Sequence, residues 1–244
     1  MSIRYLVAAV TAVLPLSAQA AEPRENYIAD WSDEWVEQVT HGWKLSGQLT
    51  VATDSTSKGI SETQGNGQIG GAVTATRGWF YASARYKNYK GSDGSDHQSG
   101  LAVGGKWKLG QVNLNSQIIY KVNTGARSGS DNDFYEWQTE ASRTWGKTTL
   151  KGLSIWSPDS SGTTKRAGYY EIGVAQKVAS KWTVSGGIGI RRLQPARDYT
   201  AFNLGTAYAM TEKTGLDLRY YTTDAKDYSK VHGDRLVLSL TQKF

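Results

Sequence analysis

The 244-residue sequence contains no cysteine, and it has only four prolines and four phenylalanines. Without cysteine, neither disulfide bonds nor thiolate metal sites can hold the chain together. After residue 20, no apolar stretch approaches the roughly 20 residues that a membrane-spanning helix needs, and the mean hydropathy is −0.50. These absences argue against a helical membrane protein. They leave a membrane β-barrel open, because the polar residues that face its lumen lower the average.

The residues that are abundant favour strands and turns. The chain has 27 glycines, 14 tyrosines and 9 tryptophans; aromatic residues are typical of strands, and glycine is typical of turns. The net charge is +6, but the basic residues are spread along every segment instead of clustering with stacking aromatics. Nucleic acid is therefore not an expected partner.

The first residues predict a signal peptide. Arg4 supplies a positive charge, Leu6 to Leu16 form a short apolar run, and Ala18 to Ala20 form a small-x-small cleavage site. Residues 1–20 should therefore be removed, and the mature chain should begin at Ala21.

Residues 21–41 are predicted to form an acidic periplasmic segment. Trp31, Trp35 and Val39 recur at helical spacing, and Ser32 is a candidate N-cap. The segment could form a short helix at the barrel rim, remain a disordered tail, or fold into the basic lumen as a plug.

From residue 42 to the C-terminus, apolar and polar residues alternate with a period of two. This pattern is typical of strands, and each segment is long enough for a tilted strand to cross a bilayer. Leu150 and Trp156 lie in one phase and Leu153 and Ile155 in the other, which predicts a β-bulge. The twelve predicted strands are 42–55, 67–77, 79–89, 98–109, 111–123, 133–145, 147–157, 167–178, 181–192, 199–209, 212–223 and 233–244.

Long and short connections alternate between these strands, as in outer-membrane barrels with short periplasmic turns and long external loops. The short turns are near Gly78, Gly110, Gly146, Ala179 and Met210. The long loops are Thr56 to Asn66, Lys90 to His97, Thr124 to Asn132, Pro158 to Arg166, Leu193 to Asp198 and Asp224 to His232.

Aromatic residues near both ends of the strands predict two girdles at the membrane interfaces. The girdle beside the short turns would contain Trp43, Trp79, Trp107, Trp145, Trp182 and Phe244. The girdle beside the long loops would contain Tyr86, Tyr120, Tyr135, Trp137, Trp156, Tyr170, Tyr199 and Tyr220.

The face opposite the apolar one carries many charges, and twelve strands enclose more space than side chains alone can fill. We interpret this face as the lining of a channel. Its ten basic and five acidic residues predict a positive lumen that favours anions, although mutual ion pairing would weaken the effect. The basic residues are Lys44, Arg85, Lys87, Lys106, Lys108, Lys121, Lys177, Arg191 and Arg219, with Arg235; the acidic residues are Asp54, Glu136, Glu140, Glu171 and Asp217.

Two stretches resemble known proteins. The last strand, which ends at Phe244, resembles the terminal strand that outer-membrane proteins present to the barrel-assembly machinery, although Gln242 stands where an apolar residue is usual. The first hairpin, Leu45 to Asp54 and then Lys58 to Thr63, resembles the opening of the TorF family of porins, as do Gln68 to Gly71 and Gly78 to Tyr81. That family has Tyr and Arg before the basic residue, where this chain has Ser55 to Ser57. The resemblance implies an outer-membrane porin without a defined substrate.

A barrel hydrolase is the alternative from another functional class. His97 and Ser99 lie two residues apart near a loop end, in a stretch that partly resembles outer-membrane phospholipase. The family's Asn after the Ser is missing, and Asn88 is the nearest residue that could orient His97. A structural or surface-interaction barrel is a further alternative. His41 and His232 have no partners at metal-ligand spacing.

We therefore predict an all-β protein of the bacterial outer membrane, an antiparallel up-and-down barrel of about twelve strands formed by residues 42–244. Its predicted function is passive diffusion of small polar solutes, with anions preferred. Its predicted partners are outer-membrane lipid and, through Phe244, the assembly machinery. No catalytic residue, metal site or cofactor is expected.

Overall fold

The computed structural model describes residues 42–244. The predicted signal peptide (1–20) and acidic segment (21–41) lie outside the described residues. None of the helices in the described part of the chain is long and apolar enough to span a membrane.

Twelve of the described strands form one closed antiparallel barrel, which confirms the predicted strand number and the up-and-down order. The other two, β2 and β3, form a small hairpin of their own. The strands are β1 (Lys44–Ala52), β2 (Thr56–Ser57), β3 (Ile60–Ser61), β4 (Gln68–Arg77), β5 (Phe80–Asn88), β6 (His97–Leu109), β7 (Val112–Thr124), β8 (Asp133–Trp145), β9 (Thr148–Ser157), β10 (Ala167–Lys177), β11 (Trp182–Leu193), β12 (Tyr199–Ala209), β13 (Thr214–Thr223) and β14 (Arg235–Lys243).

The barrel closes where its first strand meets its last. β1 and β14 share five partner pairs, from Gln48 with Lys243 to Ala52 with Ser239. Two backbone hydrogen bonds, 2.7 and 3.0 Å long, extend this seam by joining Gly47 and Phe244. A side chain on Gly47 would collide with the Phe244 ring as it lies in this structure, so glycine lets the ring pack over the seam.

The outer face of the barrel is apolar and exposed. On β6, for example, Leu101 and Val103 are 60% and 52% exposed, while Ala102 between them is buried. Trp79, Trp107, Trp145 and Trp182 are also exposed, next to the short turns. An apolar band of this extent on a closed barrel matches the lipid-facing surface of a membrane barrel.

The prediction for Tyr199 is wrong. Tyr199 is buried and faces inward with Ala201 of the same strand, so it belongs to the lumen and not to the outer girdle. On the outward-facing side of the same strand, the large apolar residue is Phe202, which is 42% exposed.

The predicted bulge in β9 is also wrong. The strand pairs with β8 and β10 in unbroken register. Leu150 and Trp156 face outward, while Ile155 faces inward and packs against an apolar cluster that includes Tyr169 and Leu153. The apolar residues in both phases therefore reflect an apolar patch on the lumen wall and not an extra residue.

The first long connection, loop 1 (residues 53–67), does not lie outside the barrel as predicted. It folds into the lumen as the β2–β3 hairpin, where Ser55, Thr56 and Thr63 are buried. Lys58 and Gly59 form the hairpin turn with φ values of +52° and +84°. Two successive positive φ values are typical of a type I′ turn, whose twist matches that of its strands.

Candidate functional site in the lumen

The predicted basic residues all lie on strand positions that alternate inward. They are Lys44, Arg85, Lys87, Lys106, Lys108, Lys121, Lys177, Arg191 and Arg219, together with Arg235. Among them, Arg85, Lys87 and Arg191 are buried, whereas Lys106 and Lys108 are exposed near the short-turn end. Sequence reasoning missed Lys58 and Glu62, which loop 1 brings into the lumen.

The tip of loop 1 reaches across the lumen. The Lys58 ammonium forms an ion pair with Glu136 on β8, which is five strands away from β1 around the barrel. Lys121 on β7 binds the second oxygen of the same carboxylate at 2.7 Å. The Tyr199 hydroxyl donates to the Lys58 carbonyl at 2.9 Å. Loop 1 is therefore held at the far wall of the lumen as well as at its base.

The base of loop 1 is held by Asp54. The hydroxyls of Ser61 and Thr63 each donate to one Asp54 oxygen at 2.6 Å. The other oxygen lies 3.4 Å from Nε of Arg235. Arg235 also donates to the Gly59 carbonyl. This arrangement fixes the hairpin without using Glu62.

Glu62 forms a separate ion pair with Lys87 on β5. Burial alone would raise the pKa of Glu62, but the Lys87 and Lys121 ammonium groups hold it below its ordinary value. Burial lowers the pKa of Lys58 to about 8, although Glu136 opposes the shift. The loop therefore carries one charge of each sign into a poorly hydrated part of the lumen.

These contacts belong to one cluster, which we call the constriction cluster. It contains five cations, Lys58, Arg85, Lys87, Lys121 and Arg191, and two carboxylates, Glu62 and Glu136.

The constriction cluster has more positive than negative charge. Five positive and two negative charges give a net charge of +3. Within residues 42–244, neither Arg85 nor Arg191 forms an ion pair, and each is only 8% exposed. Arg85 donates to Gln117 at 2.9 Å, and Gln117 donates to Gln138 at 3.2 Å. Because buried cations are costly unless compensated, the two arginines leave the cluster with a surplus of positive charge that no carboxylate of the described residues balances.

A cavity of about 90 Å³ lies against the tip of loop 1. It is large enough for several water molecules. Lys58, Gln138, Lys151 and Glu171 contribute polar groups to its wall, and Ile155 and Tyr169 contribute apolar surface. The Lys151 ammonium is buried without a hydrogen-bond partner among the described residues. The lumen therefore retains open space next to the constriction cluster.

The proposed hydrolase residues lie on the outside of the barrel. His97 stacks on Tyr86 with ring centroids 5.2 Å apart and contacts Asp96 at 2.7 Å. Among residues 42–244, no hydrogen bond joins His97 to Ser99. The Asn88 amide is engaged by the backbone of Ile69 and Gly67, so it does not orient His97.

The described residues contain no group of three or more His, Asp or Glu side chains that could hold a metal ion. His41 lies outside the described residues, and His232 contacts Ser229 at 2.9 Å.

A closed twelve-stranded barrel that is apolar outside and charged inside defines an outer-membrane type of β-barrel. Solved structures share this fold. The chain matches a KdgM porin with a TM-score of 0.58 at 7% identity, covering 82% of this chain and 99% of that one. It matches a NanC porin with a TM-score of 0.54 at 12% identity, covering 82% of this chain and 98% of that one. It also matches the COG4313 outer membrane channel from Pseudomonas putida F1 with a TM-score of 0.51 at 12% identity, covering 82% of this chain and 95% of that one. No protein-family model and no curated protein matches the sequence.

Proposed function

We propose that the protein is an outer-membrane porin that allows passive diffusion of small polar solutes. The observation that carries this proposal is a closed barrel with an apolar outer band and a charged lumen that contains open space. The chains of similar fold include two porins and an outer membrane channel. The resemblance of the first hairpin to the TorF family agrees with the same function, and family membership stays a prediction.

The proposed selectivity is for anions. The constriction cluster carries a net charge of +3 where loop 1 narrows the lumen. A solute there passes well within a Debye length of these charges, about 8 Å at physiological salt. The KdgM porin has also been solved in complex with oligogalacturonate, an acidic saccharide. Its anionic ligand supports the anion preference proposed here.

Planar-bilayer recording of the refolded barrel tests both proposals. In a KCl gradient, the reversal potential should indicate anion preference, and the preference should weaken as salt rises. Arg191→Gln removes a lumenal charge that has no ion-pair partner among the described residues and should reduce the preference. Lys165→Gln removes a 64%-exposed loop charge and serves as the matched control.

The outcomes separate the proposals. Absence of stepwise conductance from the refolded barrel would contradict the channel function. Conductance with cation preference would contradict only the selectivity. If the recorded protein includes residues 21–41, repeating the measurement without them tests whether this acidic segment sets the sign.

A further inference from the structure

The charges of the constriction cluster are divided unequally between the barrel wall and loop 1. The wall contributes Arg85, Lys87, Lys121 and Arg191, but only one carboxylate, Glu136. Loop 1 contributes Lys58 and Glu62, and its own net contribution is zero. The wall by itself is therefore a cationic surface, and part of its compensation comes from a side chain that is not part of the wall.

Lys87 shows this dependence most directly. It is 1% exposed, and its ion-pair partner is Glu62 of loop 1. Lys121 lies close enough to influence the pKa of Glu62 as well. The Glu62 carboxylate is 14% exposed and pairs with the wall cation Lys87, where the carboxylate of a solute would make the same charge-assisted hydrogen bond.

We propose that Lys87, with Arg85 on the same strand and Lys121 in register with Arg85 across Gly100, forms a binding site for the carboxylate of a transported solute, and that Glu62 occupies the Lys87 position when no solute is bound. This inference rests on the proposed channel function and names the solute class. A solute carboxylate replaces Glu62 at Lys87, and the Glu62 side chain turns away from Lys87. No covalent step is involved.

The anchoring of loop 1 makes this exchange possible without unfolding the hairpin. Asp54 holds Ser61 and Thr63, and Arg235 and Tyr199 hold the carbonyls of Gly59 and Lys58. Apart from its ion pair with Lys87, the Glu62 side chain accepts one hydrogen bond, from the Ser55 hydroxyl at 3.3 Å. Glu62 is therefore the exchangeable part of an otherwise fixed loop.

Tethering makes Glu62 an effective competitor. A carboxylate on a short segment competes as though present at a millimolar concentration. Removing its charge should therefore tighten solute binding by about tenfold or more, the factor associated with one charge-assisted hydrogen bond.

Calorimetry on the refolded full-length barrel in detergent tests this inference, with gluconate as the anionic probe and sorbitol as its uncharged counterpart. Glu62→Gln should bind gluconate at least about tenfold more tightly than the parent, and sorbitol binding should not change. Lys87→Gln should lose gluconate binding. Glu171→Gln removes a carboxylate that also faces the lumen but lies outside the constriction cluster, so it controls for a general change of field.

Unchanged gluconate affinity in Glu62→Gln, or equal tightening in Glu171→Gln, would overturn the inference. Because Lys87→Gln could fail to fold, the decisive comparison is between the two glutamate variants. Binding is measured without conduction, so a barrel that binds gluconate but passes no current would contradict the porin function and leave this site standing. A conducting barrel in which Glu62→Gln does not change gluconate affinity would contradict this site and leave the porin function standing.

Discussion

Replacing Gly59 by alanine should drive loop 1 out of the lumen. Gly59 has a φ of +84°, where an L-residue with a Cβ costs about 1–2 kcal/mol. The added Cβ would also collide with the Cβ of Ala201 on β12, and overpacking of this kind typically costs about 1–3 kcal/mol. The two effects together should weaken loop insertion by about 2–5 kcal/mol, or roughly 30-fold to several thousandfold in the population of the inserted loop.

A second substitution separates these two effects. In Gly59→Ala/Ala201→Gly the collision disappears, because the next atoms, Cα of position 201 and Cγ2 of Thr223, lie 3.4 and 3.5 Å from the added Cβ. Only the backbone cost of about 1–2 kcal/mol then remains. The double variant should therefore regain most of the inserted state.

Limited trypsin digestion of the folded barrel measures the loop position. The bond after Lys58 should resist cleavage in the parent, be cleaved in Gly59→Ala, and be largely protected again in the double variant. Single-channel conductance should be higher in Gly59→Ala than in the parent, and it should fall again in the double variant. Equal protection and equal conductance in parent and Gly59→Ala would refute the reasoning that places loop 1 in the lumen.

Three further predictions concern pH, assembly and catalysis. Glu62 has a lowered pKa when loop 1 is inserted, so the inserted state binds fewer protons, and bilayer conductance should rise below pH 4.5 as insertion weakens. Lys58 acts in the same sense. Its pKa is about 8 when loop 1 is inserted and 10.5 ordinarily, so the inserted state binds fewer protons between these values and insertion should strengthen as pH rises through them. Conductance that does not change with pH would contradict both effects. Deleting Phe244 should reduce heat-modifiable barrel in the outer-membrane fraction without blocking secretion, whereas normal assembly would contradict its role. A serine-directed acyl probe should not label Ser99, and labelling that Ser99→Ala abolishes would instead favour the hydrolase.

The sequence predicted the barrel well because strand alternation and turn spacing are local signals. The lumen contents depended on non-local contacts. Loop 1 is polar and resembles an external loop, and only its partners Glu136 and Lys87, distant in sequence, show that it enters the lumen. The one local sign was Lys58-Gly59, a pair suited to a two-residue hairpin turn.

The error at Tyr199 had a different origin. Its position at the end of the long loop suggested the aromatic girdle beside the long loops. Its strand phase, which is shared with Ala201 and opposite to Phe202, indicated the lumen. In β9, the inward Ile155 looked like a break in the alternation because lumen residues were expected to be polar. Both cases show that phase is more reliable than residue type where a lumen wall contains apolar patches.

The seam between Gly47 and Phe244 has a consequence for how the barrel is made. It joins the two ends of the described strand sequence, so the contact with the largest sequence separation is also the one that completes the sheet, and its entropic cost is met late. Until it forms, β1 and β14 each present a row of unpaired N–H and C=O groups, which hydrocarbon cannot satisfy. A barrel in which β1 and β14 have not yet paired therefore carries two edges that lipid cannot satisfy, and the pairing of Gly47 with Phe244 removes both of them together.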